Sequence, residues 1–119
     1  MVYYLQGNLT RAISDFTRVI EKNPNDEDGY ALRGHTYHKQ GNFYQAISDL
    51  DKAIKINPNN AEAYNSRGNI CLETFKSRNL PRAISDFTKA IEINPKYAEA
   101  YHNRGMAYFG AQELIYQEN

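Results

Sequence analysis

Apolar residues recur every three or four positions in three stretches of nearly identical sequence. These are AISDFTRVIEKNP from Ala12, AISDLDKAIKINP from Ala46 and AISDFTKAIEINP from Ala83. Such spacing gathers the apolar side chains into one stripe of an α-helix, so each stretch predicts an amphipathic helix. The copies begin 34 and then 37 residues apart. A period of this length is typical of a helical repeat in which each unit buries its apolar face against its neighbours.

Turn-forming residues mark both ends of these helices. Each stretch ends in Asn-Pro, and the residue before a proline is disfavoured in helical geometry, so we predict a stop at each pair. The pairs are Asn23-Pro24, Asn57-Pro58 and Asn94-Pro95. An asparagine stands four residues before each repeated alanine, where its side-chain oxygen could cap free backbone amides. These predicted caps are Asn8, Asn42 and Asn79, and Pro81 fits a first helical turn.

A second repeated segment, with an Arg-Gly pair at its centre, lies between these helices. It reads GYALRGHTY from Gly29, AYNSRGNIC from Ala63 and AYHNRGMAY from Ala100. The glycines are Gly34, Gly68 and Gly105, and each costs about 1 kcal/mol relative to alanine inside a helix. We therefore expect all three glycines to mark close helix contacts. We call this segment helix A of a repeat and the AISD segment helix B.

The first and third copies depart from the pattern. The first helix A is reduced to about Met1 to Leu5, with Gly7 as the expected turn, as Gly41 is in the second copy. The third copy has three extra residues in LETFKSRNLPR, so we predict that its helix A runs one turn longer, to about Lys76 or Ser77.

The spacing of these residues resembles the tetratricopeptide repeat. In the second copy the resemblance rests on Tyr30, Gly34, Tyr37, Ala46, Leu50, Ala53 and Pro58. It implies an all-α fold, a right-handed α-solenoid of antiparallel helix pairs, with about three repeats and a terminal capping helix. We expect a single domain over 1–119. It would comprise a partial repeat at 1–26, repeats at 27–60 and 61–97, and a capping helix A at 98–119 that leaves Phe109, Leu114 and Ile115 partly exposed.

The resemblance also implies a peptide-binding groove along the inner faces of the A helices. The residues at the matching places are Asp28, Ala31, His35, His38, Lys39, Glu62, Asn65, Asn69, Leu72, Glu73, Glu99, His102, Met106 and Phe109. In members of the family that hold acidic chaperone tails, lysine, arginine and asparagine form a carboxylate clamp. The matching places here are Ala31, His35, Ser66, Glu99 and Asn103, so we expect weak binding of such tails.

A repeated arginine precedes each glycine, and a repeated aspartate occupies one position of each helix B. The set is Arg33, Arg67 and Arg104 with Asp15, Asp49 and Asp86. The arginines could form a ladder for an acidic ligand, but structural ion pairs are the better interpretation because both residue types repeat together. Pairing each aspartate with the next repeat's arginine leaves none over. We therefore predict Asp15 with Arg33, Asp49 with Arg67 and Asp86 with Arg104.

The composition narrows the range of possible functions and binding partners. Lys and Arg number 14, as do Asp and Glu, so no net charge attracts nucleic acid or an anionic membrane. The single cysteine, Cys71, aligns with tyrosines of the other copies and is expected to be a packing residue. We find no catalytic motif, expect no cofactor or metal site, and expect a cytoplasmic protein. His35 and His38 lie three residues apart without a further ligand at matching spacing.

The sequence thus predicts a non-catalytic module that binds an extended peptide or helix of a protein partner, other than an acidic chaperone tail. The alternative is a structural segment that forms homo-oligomers through its incomplete terminal repeats. A third, weaker hypothesis is a regulatory fragment of an enzyme whose catalytic domain lies outside this chain.

Overall fold

A computed structural model describes residues 2–74 and 80–118, and over these residues it contains six α-helices and no strand. The helices are α1 (Val2–Lys22), α2 (Glu27–Gln40), α3 (Phe43–Ile56), α4 (Ala61–Thr74), α5 (Leu80–Ile93) and α6 (Ala98–Glu118). The chain divides into two compact units, Met1–Pro58 with α1 to α3 and Asn59–Asn119 with α4 to α6.

In the first unit α2 packs against both α1 and α3. The apolar stripe of α3 is buried, with Ala46, Leu50 and Ala53 almost inaccessible to solvent. A Cβ atom placed on Gly34 of α2 would lie 3.1 Å from the Ala46 carbonyl oxygen and 3.2 Å from Leu50 Cγ. The prediction that this glycine marks a close helix contact is therefore confirmed.

In the second unit α5 packs against α4 and α6, and α4 also contacts α6. A buried cluster joins Cys71, Leu80, Ala83, Phe87 and Ala107, which confirms Cys71 as a packing residue. The packing is tightest where α4 meets α5, because a Cβ atom on Gly68 would lie 2.7 Å from Phe87 Cε1.

The third repeated glycine differs from the other two. A Cβ atom on Gly105 would meet no atom within 4 Å among the residues that the structure describes. The prediction of a close helix contact at Gly105 was wrong. The reason is that no helix among the described residues covers this face of α6.

The Asn-Pro pairs end the B helices as predicted. α1, α3 and α5 stop at Lys22, Ile56 and Ile93, one residue before the asparagine. The amides of Asn23, Asn57 and Asn94 each donate to the carbonyl four residues earlier, at 2.9 Å. The proline that follows cannot continue this hydrogen-bond pattern.

The start of the first helix differs from the prediction. α1 is continuous from Val2, so Gly7 is not a turn and Asn8 is not a cap. Residues 2–6 continue the same helix, so no chain reversal occurs at Gly7. A single glycine without a proline costs a helix only about 1 kcal/mol, so the helix continues through it.

Among the described residues, capping side chains occur at the A helices α2 and α4 rather than at Asn8 and Asn42. Asn42 precedes α3, but its side chain makes no cap bond and donates instead to Gln40 Oε1 at 3.0 Å. The carboxylate of Asp26 accepts from two amides at the start of α2, and Asn60 Oδ1 accepts from the Ala63 amide at the start of α4. Gly41, with φ of 84°, forms the predicted turn after α2.

The predicted cap at Asn79 and the extension of α4 to Lys76 or Ser77 lie outside the described residues. Pro81 occupies the first turn of α5, as expected.

Candidate functional site

Two bidentate ion pairs join helix A to helix B within a repeat. Arg33 Nη2 and Nε lie 2.8 Å from the two carboxylate oxygens of Asp49. Arg67 Nη2 and Nε lie 2.8 and 3.0 Å from those of Asp86. The predicted pairing between successive repeats was therefore wrong. The aspartate side chains are only 8% and 5% exposed, because each lies beside the glycine contact of its own helix pair.

Arg33 and Arg104 also contact the preceding helix B, and all three arginines lie near an aromatic ring of their own helix. Arg33 Nη1 donates to Thr17 Oγ1 at 3.1 Å, and Arg104 Nη1 donates to Thr88 Oγ1 at 3.2 Å. The guanidinium carbons of Arg33, Arg67 and Arg104 lie 5.5 to 5.8 Å from the ring centres of tyrosines in their own helices. The hydrogen bond to Asp49 raises the pKa of Arg33 against the opposing effect of burial.

Asp15 and Arg104 differ from the other repeated aspartates and arginines. The repeat of Asp15 has no arginine, and that of Arg104 no aspartate, at the matching position of this sequence. Asp15 is exposed on α1 and, within the described part of the chain, forms no ion pair. Arg104 keeps its contacts with Thr88 and Tyr101 but has no carboxylate partner among the described residues.

Asn65 links α4 to α6 in the second unit. Its side chain is 3% exposed and accepts a hydrogen bond from Asn103 Nδ2 at 3.3 Å. Its side chain also forms a hydrogen bond with Tyr97, in the turn before α6. The resemblance predicts that Asn65 contacts a peptide in the groove, but its side chain is engaged in contacts between helices. The position in the sequence cannot distinguish these roles.

Two glutamates lie near Tyr97 at the N-terminal ends of α4 and α6. Burial raises the pKa of Tyr97 above its ordinary value of 10.0, and the charges of Glu99 and Glu62 raise it further. The hydrogen bond with Asn65 acts in the opposite direction without cancelling the rise. Both carboxylates therefore act on the same Tyr97 phenol.

The other predicted groove residues of the second unit are accessible. On α4, Asn69 and Leu72 are half-buried; on α6, Met106 and Phe109 are 52% and 64% exposed. We define the α4–α6 surface by the following residues, all exposed or half-buried: Glu62, Asn69, Leu72, Glu73, Glu99, His102, Met106 and Phe109. It combines apolar, amide and imidazole groups with three carboxylates and carries no lysine or arginine.

The predicted groove residues of α2 belong to the first unit. Asp28, His35 and Lys39 are exposed, whereas Ala31 and His38 are half-buried. The ring of His38 packs against Phe43, with ring centres 5.9 Å apart. His38 is therefore partly engaged in the contact between α2 and α3.

An open cleft of about 390 Å³ in the first unit was missed by the sequence analysis. It lies between α2 and α3 and is lined by Tyr30, Arg33, Ser48, Asp49, Asp51, Lys52 and Lys55. The charged spacing of Asp51, Lys52 and Lys55 on the exposed side of α3 is the signal that could have indicated it. Arg33 and Asp49 already bind each other there, so their charges are largely satisfied.

The described residues contain neither a metal-binding cluster nor a membrane-spanning helix. They contain no group of three or more His, Cys, Asp or Glu residues placed to hold a metal ion. No described helix combines the length and apolar character needed to cross a membrane.

α6 keeps an apolar surface, as predicted for a terminal helix. Phe109 and Ile115 are 64% and 52% exposed, while the side chain of Leu114 lies outside the described part. Tyr101 and Tyr108 are also about half exposed, at 46% and 55%.

Known structures share this architecture. The first TPR domain of Spaghetti (RPAP3), bound to the HSP90 peptide SRMEEVD, is 26% identical; the match covers 95% of this chain and 85% of that chain, with a TM-score of 0.79. The second TPR domain of human RPAP3, in complex with the HSP70 peptide SGPTIEEVD, is 24% identical over 89% of this chain and 86% of that one, with a TM-score of 0.77. MamA is 28% identical over 92% of this chain and 64% of its own, with a TM-score of 0.76.

A comparison with curated proteins finds no significant match. The family model for the TPR repeat, in contrast, matches residues 2–41, 34–74 and 75–112, which together span most of the sequence. The predicted fold class, an all-α helical repeat with about three repeats and a further helix, is confirmed by these matches and by the helices described above. The chain belongs to the tetratricopeptide repeat family.

Proposed function

We propose that this chain is a non-catalytic protein-interaction module that binds a peptide or helix of a partner on the α4–α6 surface. The observation that carries the proposal is that two helices in contact with each other both present accessible side chains: His102, Met106 and Phe109 are exposed on α6, and Asn69 and Leu72 are half-buried on α4. Apolar side chains supply contact area, and an amide can donate to and accept from a peptide backbone. The similarity to an RPAP3 domain solved with a bound peptide supports a peptide as the partner.

We further propose that the bound segment is neutral or basic. Glu62, Glu73 and Glu99 are exposed on this surface, and electrostatic complementarity then favours a partner without excess negative charge. The peptide SRMEEVD bound by the RPAP3 domain is acidic, so that similarity taken alone favours the opposite preference. The charge of this surface nevertheless favours a neutral or basic segment, since Glu99 stands where the carboxylate clamp of tetratricopeptide repeats requires a lysine.

Fluorescence polarisation with two labelled peptides tests this preference. The probes are SRMEEVD and SRMKKVK, in which lysine replaces each of the three acidic residues. We expect the basic peptide to bind at least about tenfold more tightly, a difference of about 1.4 kcal/mol. Glu99→Lys should reduce or reverse the preference, and His102→Ala with Met106→Ala should weaken both peptides.

Glu92→Lys, on the exposed side of α5, is the matched control and should leave both affinities unchanged. Tighter binding of SRMEEVD, or a preference that Glu99→Lys does not alter, would contradict the proposed charge selection. Equal binding by the His102 and Met106 variants would contradict the location of the site.

A second candidate function is self-association through the terminal helices. The observation that favours it is the open face of α6, where Gly105 has no described atom near its Cβ position and Arg104 has no described carboxylate partner. Light scattering over a concentration series tests it, because a self-associating chain increases in mean mass above 13.7 kDa as its concentration rises.

A further inference from the structure

One face of α6 has nearly the same residues as two faces that another helix covers elsewhere in the chain. We call the face formed by Tyr101, Arg104, Gly105 and Tyr108 the α6 slot. The equivalent positions are Tyr30, Arg33, Gly34 and Tyr37 on α2, and Tyr64, Arg67, Gly68 and Cys71 on α4. On α2 and α4 a helix B covers the glycine and supplies an aspartate to the arginine. The α6 slot has neither contact among the described residues.

The helices that cover α2 and α4 do so with three repeated residues. The atoms nearest to Gly34 belong to Ala46, Asp49 and Leu50 of α3, and Phe87 of α5 takes the corresponding place over Gly68. The carboxylates of Asp49 and Asp86 bind the arginines beside these glycines. An alanine, an aspartate and a large apolar residue in this spacing therefore form the complement of such a face.

α1 carries the same three kinds of residue, but they are less buried than those of α3. Its equivalent residues are Ala12, Asp15 and Phe16, which we call the α1 edge. Asp15 is exposed and Ala12 and Phe16 are only half-buried, whereas Ala46, Asp49 and Leu50 are all buried. The α1 edge and the α6 slot are thus two halves of one kind of contact, with opposite charges at Asp15 and Arg104.

We propose that the α6 slot of one copy binds the α1 edge of a second copy of this chain. In this contact the Asp15 carboxylate binds the Arg104 guanidinium, and the Phe16 ring lies against Gly105. The arrangement repeats the Arg67–Asp86 pair and the Gly68–Phe87 contact that the second unit already contains. The inference rests on the second candidate function and adds its surfaces, its residue pairing and its symmetry.

The two surfaces are different, so the contact is heterologous. Each bound copy keeps one free slot or one free edge, and such contacts build rings when the rotation closes and open chains when it does not. We therefore expect a mean mass that continues to rise with concentration or stops at a closed ring.

A charge-swap experiment tests the pairing in the full chain. Sedimentation and light scattering over a concentration series should show association of the unmodified chain. Asp15→Arg alone and Arg104→Asp alone should each weaken association at least about tenfold, since each places like charges in the contact. The double variant Asp15→Arg with Arg104→Asp should restore it. Glu92→Arg, an exposed charge reversal on α5, is the control and should change nothing.

Gly105→Leu provides a test that does not alter charge. No described atom lies within 4 Å of the Cβ position of Gly105, so circular dichroism should show an unchanged helix content, while association should be lost. A chain that stays at 13.7 kDa at every concentration would overturn the proposal. Association that is insensitive to Asp15→Arg and Gly105→Leu, or a folded double variant that stays monomeric, would also overturn it.

The two proposals fail independently. His102→Ala should keep self-association while weakening peptide binding, and Asp15→Arg should do the reverse. Association without peptide binding would remove only the peptide-binding function, and peptide binding by a strictly monomeric chain would remove only the contact proposed above.

Discussion

The repeated glycines show how one residue type has different energetic consequences in different surroundings. Gly68 lies against the fully buried ring of Phe87, whereas Gly105 faces open space within the described structure. Both occupy the interior of a helix, where glycine carries the same backbone entropy cost. The difference between them therefore comes only from the neighbouring helix.

Replacing each glycine by alanine separates these two effects. Gly68→Ala should lower the free energy of unfolding by about 1 to 3 kcal/mol, because the new methyl group overlaps Phe87 in a packed core. Gly105→Ala should raise it by about 0.5 to 1 kcal/mol, because alanine is the better helix former. Urea denaturation at dilute protein concentration measures both. A loss of stability in both variants would mean that Gly105 is covered.

At the scale of helices, the Arg–Asp pairs fix how helix A lies on helix B. Each pair is bidentate and largely buried, so both charges have given up much of their hydration for a defined geometry. Removing one partner leaves the other charge poorly solvated. Asp15, at the equivalent position of α1, is exposed and provides a natural control.

Asp86→Ala should destabilise the protein by about 3 kcal/mol, the lower end of the range for a broken buried pair, because Arg67 retains 17% exposure. Asp15→Ala should change stability by less than about 0.5 kcal/mol, as expected for a surface residue. Thermal or urea unfolding of dilute protein gives both values. Equal effects of the two substitutions would show that burial and pairing do not determine the contribution of this aspartate.

At the scale of the whole molecule, the chain forms two compact units with separate sets of buried residues. Leu50 is buried in the first unit and Phe87 in the second, at equivalent positions of helix B. In repeat proteins stability is approximately a sum of contributions from each repeat and from its nearest neighbours. The loss of one buried side chain should therefore be felt most strongly in its own unit.

Phe87→Ala should cost about 3 to 5 kcal/mol and Leu50→Ala about 2 to 5 kcal/mol. Amide hydrogen exchange should show that Phe87→Ala reduces protection mainly in α4 to α6, and Leu50→Ala mainly in α1 to α3. The two variants serve as controls for each other. A uniform loss of protection along the chain in either variant would instead indicate a single cooperative unit.

The sequence alone determined the features that depend on nearby residues. The helix period, the Asn-Pro stops and the turn at Gly41 follow from backbone preferences within a few positions, and the structure agrees with them. The start of α1 was not predictable in the same way. Whether a glycine interrupts a helix depends on the packing around it, and the described residues before Gly7 continue α1.

Only the tertiary structure decided which residues meet. Counting arginines and aspartates favoured pairs between repeats, but the close approach at the glycines places each carboxylate beside the arginine of its own repeat. In the same way, Asn65 has the position of a ligand but the burial of a structural residue. Sequence period fixes the face on which a side chain lies. The partner depends on which helix packs against that face, and this is a property of the folded chain.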